Sequence, residues 1–514
     1  MITVNKQSLT SLLAGMLADP SLLDDIEIAG LSLDSRKIQS GFLFLSLAAK
    51  ETQRLAYLEQ AIQAGVAVVL YEQAQDLTSD EISALAKNNI AAYAVRDLAD
   101  KACEIAARFY GHPSLALTVI AVTGTNGKTS VSQFIAQSIE SLGLACGVVG
   151  TLGVGRVHAL NSTGMTTPDP ITLQGVLADF CQQNIKYAVI EASSHALAQG
   201  RLNSITIDVA VLTNLTRDHL DYHKTMDHYA AAKALLFNFA SVKTAVINSA
   251  DEFGQTIIAS LSANDNIDVL TYNSQGSNAS FYAEKSQTTQ HGLQFELISD
   301  SGSASINSSL LGYFNIDNLL ATIASLHAVN IPFSDIINGI KQCQAVDGRM
   351  ESHGQQQQAQ LVVDFAHTPD ALTQALKSLR AHLPTNGQLW CVFGCGGDRD
   401  VGKRPEMGRN AEHYADRVVV TDDNPRSESP EAIVNNILAG ISAPEKVYIE
   451  HDRKKAIAYA VSHAAADDIV LIAGKGHEQY QEISGVQQPF SDADVVIEML
   501  AANDTQPHNV RVGA

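Results

Sequence analysis

Short apolar runs alternate with amphipathic stretches along most of this chain. From Leu115 the runs LALTVIAVTG, CGVVGT, YAVIEAS, DVAVLTN and TAVIN are separated by predicted helices, among them 129–142 and 227–240. Short runs that are apolar at every position are typical of strands buried on both faces. The pattern therefore predicts a mainly parallel sheet with helices on both sides.

Two further segments have an α/β pattern. Residues 1–110 contain strand candidates at 41–47 and 66–71 around a helix near Tyr57, and YGHPS (110–114) reads as a linker. After about residue 345 the strand candidates LVVDFA, QLWCVFG, DRVVVTDD, KVYIEH and DIVLIAG follow one another, separated by helical segments. Since 514 residues exceed what one core usually serves, we predict an α/β protein of three domains: a small N-terminal domain (1–110), a central P-loop-type domain (111–344) and a Rossmann-like C-terminal domain (345–514).

Composition excludes several classes of partner. The net charge is -21, from 34 basic and 55 acidic side chains, which argues against nucleic acid and against an anionic membrane surface. The six cysteines are not arranged in metal-binding spacings. The sequence contains no membrane-spanning run and begins without a signal-peptide pattern. We therefore expect a cytoplasmic protein with reduced thiols and no membrane insertion, and we expect a monomer.

A phosphate-binding loop follows the first strand of the central segment. The sequence TGTNGKTS joins the strand TVIAV to a helix. Glycines let backbone N–H groups face phosphate oxygens, a lysine reaches the terminal phosphates, and a hydroxyl after it can ligate Mg²⁺. The common P-loop pattern has Gly where this chain has Val122, so the loop is a shorter variant. The predicted ATP contacts here are Gly124, Thr125, Asn126, Gly127, Lys128, Thr129 and Ser130.

Polar residues end the next two strands of the central segment. YAVI ends in EASSH, which contains Glu191, and DVAVL ends in TNLTRDHLDYH, which contains His219. Because ligands of open α/β sheets bind at the carboxyl ends of strands, these residues should lie near the phosphate loop. Each alone could have a structural role, but together they favour a Mg²⁺ site with Thr129.

The motifs TGTNGKT, EASSH, TNLTRDHLDYH and DFAHTPD resemble those of the Mur ligase family of peptidoglycan precursor enzymes, in the same order and over nearly the whole chain. The resemblance implies three domains that bind a UDP-sugar substrate, ATP and an amino acid. It also implies that ATP phosphorylates a carboxylate and that an amine then displaces the phosphate. His195 and His219 are candidate general bases, but the resemblance favours metal ligation or positioning, so no base is assigned.

The resemblance assigns further nucleotide and metal contacts. Lys233, which the sequence alone places on a helix surface, matches a lysine that the family carbamylates into a metal-binding N6-carboxylysine. Lys128, Glu191, His219 and Lys233 then form the catalytic set. In the motif LLGYFNIDNLLA and in the C-terminal segment, Asn315, Asn318, Arg349 and Asp364 match ATP contacts, although a simple helix N-cap would also explain the asparagines.

The C-terminal segment points to the incoming amino acid. DNPR resembles the signature of family members that add meso-diaminopimelate, whose distal carboxylate a guanidinium can grip bidentately. A generic turn would explain DNP alone, but Arg399, Arg426 and Glu478 supply the charges that a zwitterionic head needs. The matching positions are Arg399, Asp423, Asn424, Pro425, Arg426, Gly474 and Glu478.

For the acceptor, UDP-N-acetylmuramoyl-L-alanyl-D-glutamate, the matching positions are Leu33, Ser35, Thr166, Thr167, Ser193, Gln199 and Arg201. The chain departs from the family where AAKETQRLAY replaces a Gly-x-x-x-Asp-Gly stretch, at Met165 in place of Asn, and at Lys224 in place of Gly. Three alternatives remain: a folylpolyglutamate synthetase-like ligase, a lysine-adding ligase, and a protein that closes on ATP without catalysis. The DNPR sequence, Arg426 and the complete catalytic set respectively argue against them.

Overall fold

A computed structural model describes residues 6–17, 21, 23–47, 50–262, 264–290, 292–354 and 358–504, with backbone only at 51, 52, 221 and 502–504. The chain forms two compact units, residues 1–272 with 321–336 and residues 273–320 with 337–514. The boundaries near residues 110 and 344 stay predictions. Within the described ranges, no helix combines the length and apolarity that a membrane crossing requires.

The N-terminal part of the first unit is built on a parallel sheet of order β3-β4-β5-β6. The predicted strands at 41–47 and 66–71 are confirmed as β4 and β5, and the predicted linker leads into a 3-10 turn at Pro113–Ala116. Ala48 and Ala49 of the divergent AAKETQRLAY stretch lie outside the described residues. The elements are β1 (Gln7–Ser8), α1 (Leu9–Leu12), β2 (Glu27–Ile28), β3 (Gly30–Ser32), β4 (Phe42–Ser46), α2 (Glu51–Gln63), β5 (Val68–Glu72), α3 (Ser79–Lys87), β6 (Ala91–Val95) and α4 (Leu98–Tyr110).

The central part of the first unit contains the predicted parallel sheet. Its strand order is β10-β9-β8-β11-β7-β12-β13-β14, and the last six of these are parallel. Its elements are β7 (Thr118–Thr123), α5 (Lys128–Ser141), β8 (Cys146–Gly150), β9 (Gly153–Arg156), β10 (Ala159–Asn161), α6 (Pro170–Gln182), β11 (Tyr187–Glu191), α7 (Ser194–Ala198), β12 (Val209–Leu212), α8 (Leu220–His223), α9 (Met226–Ala234), β13 (Thr244–Asn248), α10 (Glu252–Leu261) and β14 (Asp268–Asn273).

An antiparallel meander that the sequence did not predict follows. It comprises β15 (Phe281–Thr289), β16 (Gly292–Ser299) and β17 (Gly302–Ser308). Burial alternates along β16, where Leu293, Phe295 and Leu297 are buried, as expected for a sheet with one covered face. Two helices follow, α11 (Phe314–Ala328) and α12 (Phe333–Ile340).

The C-terminal part of the second unit is a six-stranded sheet of order β18-β19-β23-β20-β21-β22. All five predicted strands are present, and only β18 runs antiparallel to its neighbour. The elements are β18 (Glu351–His353), β19 (Gln360–Asp364), α13 (Pro369–Arg380), β20 (Leu389–Phe393), α14 (Lys403–Tyr414), β21 (Arg417–Val420), α15 (Pro430–Leu438), β22 (Tyr448–Ile449), α16 (Arg453–His463), β23 (Ile469–Ala473), β24 (Tyr480–Ile483), β25 (Val486–Pro489) and α17 (Asp492–Asp504).

A buried ion pair joins α16 to α17. The Nε and Nη2 atoms of Arg453 each lie 2.7 Å from a carboxylate oxygen of Asp492, and both side chains are fully buried. We expect Asp492→Ala to lower the free energy of unfolding of this unit by about 3–5 kcal/mol, because it leaves a buried guanidinium unpaired. Glu498→Ala, which breaks the exposed pair with Lys454, should cost less than about 1 kcal/mol. Urea denaturation would compare them, and equal losses would contradict this ranking.

Candidate active site

The phosphate loop connects β7 to α5. Gly124 has φ +145°, and a Cβ there would lie 1.8 Å from the Thr213 Oγ1 atom, so only glycine fits. The Thr213 hydroxyl donates to the Asn126 carbonyl oxygen at 2.6 Å, which ties the loop to the end of β12. The Lys128 ammonium donates to the carbonyl oxygens of Gly124 and Thr125 at 2.9 Å each. The loop thus has the local chemistry of a nucleotide cradle.

Glu191 ends β11 beside the start of α5. Its buried carboxylate accepts hydrogen bonds from the hydroxyl of Thr129 at 2.9 Å and from the hydroxyl and backbone N–H of Thr151 at 3.0 and 2.9 Å. Thr151 directly follows β8 and was not predicted as a site residue, although the rule that ligands bind at strand ends would have included it. Thr129 and Glu191 therefore present adjacent oxygen atoms at the phosphate loop.

Lys233 lies inside the first unit and not on a helix surface, so its placement from sequence was wrong. Only 1% of the residue is exposed. Its Nζ atom donates to the Gly124 carbonyl oxygen at 2.7 Å and lies 4.5 Å from the ring centroid of Tyr229. Burial, and secondly the charge of Lys128, lower the pKa of Lys233 to about 6. At neutral pH this side chain is mainly an uncharged, nucleophilic amine.

His219 lies close to Tyr229, the ring that Lys233 also faces. It precedes α8 with φ +52°, and its Nε2 atom lies 3.4 Å from the Asp218 carboxylate. Its ring centroid is 5.0 Å from that of His195, in an aromatic cluster that includes His223 and Tyr229. None of the contacts described for His219 is to Glu191. Among the described residues, His, Cys, Asp and Glu side chains nowhere form a group of three that could hold a metal.

The oxygen atoms at the phosphate loop fit Mg²⁺ better than His219 does. The Thr129 hydroxyl and Glu191 carboxylate are the hard donors that Mg²⁺ prefers, together with phosphate oxygens and water. The Lys233 amine fits such an ion only after conversion to a carboxylate. The chemistry of the donors is therefore compatible with a magnesium nucleotide bound at Thr129 and Glu191.

The acceptor residues predicted in the central segment form one hydrogen-bonded group beside Glu191. The Thr167 hydroxyl donates to the Glu191 carbonyl oxygen at 2.6 Å and contacts the Ser193 hydroxyl at 3.1 Å. Arg201 donates to the Thr167 carbonyl oxygen at 2.7 Å and to the Gln199 side chain at 2.6 and 3.0 Å. The Thr166 hydroxyl lies 3.1 Å from that of Thr151. The structure thus brings all five residues together.

The two N-terminal candidates differ in orientation. Leu33 lines a cavity of about 470 Å³ in the first unit, together with Lys37, Tyr110 and Asp169. Ser35 is buried, and its hydroxyl donates to the Gln60 Oε1 atom at 2.7 Å. The structure places Leu33 at this cavity and engages Ser35 within the protein.

The ATP contacts predicted in the second unit are held by their own neighbours. Asn315 donates to the Leu311 carbonyl oxygen at 2.7 Å, and Asn318 donates to the Asn315 side chain at 2.7 Å. The Arg349 guanidinium lies 4.7 Å from the Phe365 ring centroid. The Asp364 carboxylate accepts backbone N–H bonds from Met350 and Ala366 at 2.8 and 2.9 Å, and burial raises its pKa. Asp364 thereby fixes the backbone next to Arg349.

The DNPR residues follow β21 and meet two other loops of the second unit. Arg426 donates to the Gly397 carbonyl oxygen at 2.8 Å and lies 3.2 Å from the Glu482 carboxylate. Asn424 donates to the Glu478 carboxylate at 2.9 Å. Gly474, which follows β23, passes close to Asp423. Arg399 is exposed on the loop that follows β20. Guanidinium and carboxylate groups therefore converge at the carboxyl ends of these parallel strands.

Residues 122–326 match the family described as Mur ligase middle domain, and residues 348–476 match the one described as Mur ligase, glutamate ligase domain. The chain belongs to the Mur ligase family. It is 44% identical over 489 residues to UDP-N-acetylmuramoyl-L-alanyl-D-glutamate--2,6-diaminopimelate ligase from Pseudomonas aeruginosa, which covers 95% of this chain and 98% of the relative. The predicted family and ATP-dependent ligase class are confirmed.

Solved structures agree with this membership. A structure of a ligase with that same name is 36% identical, with a TM-score of 0.72, and covers 98% of this chain and 100% of the other. The predicted fold class of a three-domain α/β Mur ligase is confirmed. Mycobacterium tuberculosis folylpolyglutamate synthase, complexed with ADP and AMPPCP, is 20% identical, with a TM-score of 0.58, and covers 73% of this chain and 92% of the other. That likeness concerns the fold alone.

Proposed function

We propose that this protein uses ATP to join meso-diaminopimelate to the D-glutamate carboxylate of UDP-N-acetylmuramoyl-L-alanyl-D-glutamate in peptidoglycan precursor synthesis. The observation that carries the proposal is the convergence of Arg426, Asn424 and Glu478, from the loops after β21 and β23, at the carboxyl end of the C-terminal parallel sheet. A guanidinium suits the distal carboxylate of diaminopimelate, and a carboxylate suits its distal ammonium. The relative from Pseudomonas aeruginosa, whose name includes this substrate, supports the choice.

The phosphate loop would hold ATP, with its helix N-terminus and Lys128 facing the phosphates. When bound, Mg²⁺ would neutralise phosphate charge between Thr129 and Glu191. Lys233 would react through its neutral amine with CO₂, forming an N–C bond and releasing one proton. The resulting carbamate would provide a further anionic oxygen next to Gly124. His219 stays a proposed ligand or positioning residue of this set.

In the first step, an oxygen of the substrate carboxylate attacks the γ-phosphorus atom, and ADP leaves. In the second, the diaminopimelate amine attacks the acyl carbon, phosphate leaves, and the nitrogen loses a proton as the amide forms. Lys128 and the α5 N-terminus would offset the repulsion between the two anions in the first step. Arg201, with Thr166, Thr167, Ser193 and Gln199, would orient the acceptor, and the uridine end would occupy the cavity at Leu33.

The remaining assignments rest on resemblance. Asn315 and Asn318 would lie near the adenine, and Arg349 and Asp364 would close on the nucleotide. We also propose that the protein is a monomer. The reaction consumes ATP and a UDP-activated sugar, and we therefore place it in the cytoplasm.

The test of this function is phosphate release by the purified protein with Mg-ATP and the UDP-linked dipeptide. Meso-diaminopimelate, L-lysine and L-glutamate are offered in parallel, with the product identified by mass. We expect turnover with diaminopimelate alone. Turnover with lysine would overturn the assignment of the DNPR loop, and ATP binding without turnover of any amino acid would favour a non-catalytic protein.

Replacing Arg426 by Ala should raise the KM for diaminopimelate by about 10- to 100-fold, because a charge-assisted bidentate contact is lost. The KM for ATP should change by less than about twofold. Arg417→Ala is the matched control, since Arg417 begins the strand β21 whose other end leads to Arg426. Initial rates at varied concentrations of each substrate measure both constants. Equal rises in the KM for ATP and for diaminopimelate would show that Arg426 does not bind the amino acid selectively.

A further inference from the structure

Lys475 is a fully buried lysine in the proposed amino-acid site. It stands in the sequence AGKGHE, between Gly474 and Glu478, which were assigned to diaminopimelate. Its side chain is 0% exposed, whereas lysine is almost never buried without a partner. Such a position calls for a specific set of acceptors.

The loop after β23 directs this lysine inward. Gly474 has φ +119°, and a Cβ there would lie 2.5 Å from the Asp423 Oδ2 atom, so the backbone passes against the DNPR loop. The Glu478 N–H donates to the Lys475 carbonyl oxygen at 3.0 Å, which closes a turn. The turn brings the Lys475 ammonium and the Glu478 carboxylate to the same side.

The Lys475 ammonium bridges two groups that the proposed function uses. It donates to the Asn424 Oδ1 atom at 3.0 Å and to the Glu478 Oε2 atom at 2.9 Å, and it lies 5.7 Å from the Tyr480 ring centroid. The Asn424 Oδ1 atom also accepts the Glu482 N–H at 2.9 Å. Because Lys475 and the Glu482 N–H both donate to Oδ1, the Asn424 amide has its Nδ2 atom on the side of Glu478. The Nδ2 atom donates to the Glu478 carboxylate at 2.9 Å.

This arrangement leaves one carboxylate oxygen of Glu478 for a ligand. Lys475 and Asn424 both contact Oε2, and no described residue donates to Oε1. A carboxylate held by two donors on one oxygen has a defined direction. Its second oxygen can then accept an ammonium.

We infer that Lys475 is a positioning residue for amino-acid selection: its buried ammonium orients Asn424 and Glu478 so that Glu478 Oε1 receives the distal ammonium of the substrate. This inference rests on the proposed function and adds a residue to it. Lys475 itself need not touch the substrate.

The experiment compares wild type, Lys475→Met, Glu478→Gln and the double variant. Each is assayed with meso-diaminopimelate and with 2-aminopimelate, which keeps the distal carboxylate but lacks the distal ammonium. For Lys475→Met we expect the KM for diaminopimelate to rise about 10-fold, with the KM for ATP and for the UDP-linked dipeptide within about twofold. The ratio of kcat/KM for diaminopimelate over 2-aminopimelate should fall by the same factor.

The double variant tests whether Lys475 acts through Glu478. If it does, Lys475→Met should add less than about a twofold effect on that ratio once Glu478 is already Gln, since coupled residues are not additive. Additive effects would overturn the inference. So would an unchanged ratio, or tighter diaminopimelate binding by Lys475→Met, which would mean that the lysine competes for Glu478.

Arg54→Met controls for the loss of a buried cation, because Arg54 forms a buried pair with Glu81 in the first unit. It should lower the Tm without changing the substrate ratio. If Lys475→Met does not fold, Lys475→Gln keeps one neutral donor and should show a smaller fall in the ratio; no fall would again overturn the inference. Wild type that turns over neither amino acid would instead refute the proposed function.

Discussion

Lys233→Met should lower kcat by about 10³-fold, the effect expected when a preorganised charged group is removed from a phosphoryl-transfer site. Methionine fills similar space but cannot form a carbamate. The free energy of unfolding should not fall, because the substitution removes a buried amine whose pKa is lowered to about 6 by burial. Lys243→Met, which breaks the exposed pair with Asp208, is the control and should keep wild-type kcat.

Carbamylation gives this prediction a direct readout. Wild type incubated with ¹³C-bicarbonate near pH 8 should show a carbamate carbon resonance that Lys233→Met lacks. Below pH about 6 the amine of Lys233 is protonated and cannot attack CO₂. Activity should therefore be lost in CO₂-free buffer at acidic pH and return when bicarbonate is added at pH 8. A variant that retains more than about a tenth of wild-type kcat would exclude a catalytic carbamate.

The same pKa affects stability in a defined direction. In the unfolded chain Lys233 has its ordinary pKa of 10.5, so between about pH 6 and 10.5 the unfolded state binds the proton and the folded state does not. The free energy of unfolding therefore rises with pH across that window. Below pH 6 both states bind the proton, and the folded state is destabilised by the full cost of burying the charged ammonium. In CO₂-free buffer, the free energy of unfolding of Lys233→Met should lack this dependence on pH.

Lys128→Met should lower kcat/KM for ATP by about 10³-fold, because the proposed phosphate contact loses its positive charge. Ser130→Ala, two residues later in α5, should cost less than about 10-fold, since a neutral hydrogen bond contributes about 1 kcal/mol. Titration of ATP binding by calorimetry would separate lost affinity from lost rate. Similar losses for both variants would show that the charge of Lys128 has no special role.

Lys128 also contacts the loop itself, which requires one more control. Its ammonium and the amine of Lys233 both donate to the Gly124 carbonyl oxygen. A change in loop conformation would therefore also affect Lys233. Lys128→Met should keep the ¹³C-carbamate resonance, and loss of that resonance would assign the effect to the loop instead of to the phosphate contact.

Local patterns in the sequence were sufficient for the main parallel strands of the central and C-terminal sheets, but not for β9, β10, β14 and β18. The buried strands β7, β11, β12 and β13 were predicted because parallel strands covered on both faces are continuous apolar runs. The phosphate loop was predicted because its glycines and lysine are adjacent in sequence. The meander at 281–308 was missed, since polar residues such as Lys285 and Gln287 interrupt the alternation along β15 and its pairing is set by hairpin contacts.

The sequence by itself determined the family, the order of the motifs and the residue types of the site, because these are properties of short segments. Only the tertiary structure decided that Lys233 and Lys475 are buried and that Thr151 binds Glu191. It also decided that His219 lies with His195. Burial and hydrogen-bond partners depend on packing between segments far apart in the chain. The sequence alone therefore does not show whether a lysine is solvated or buried.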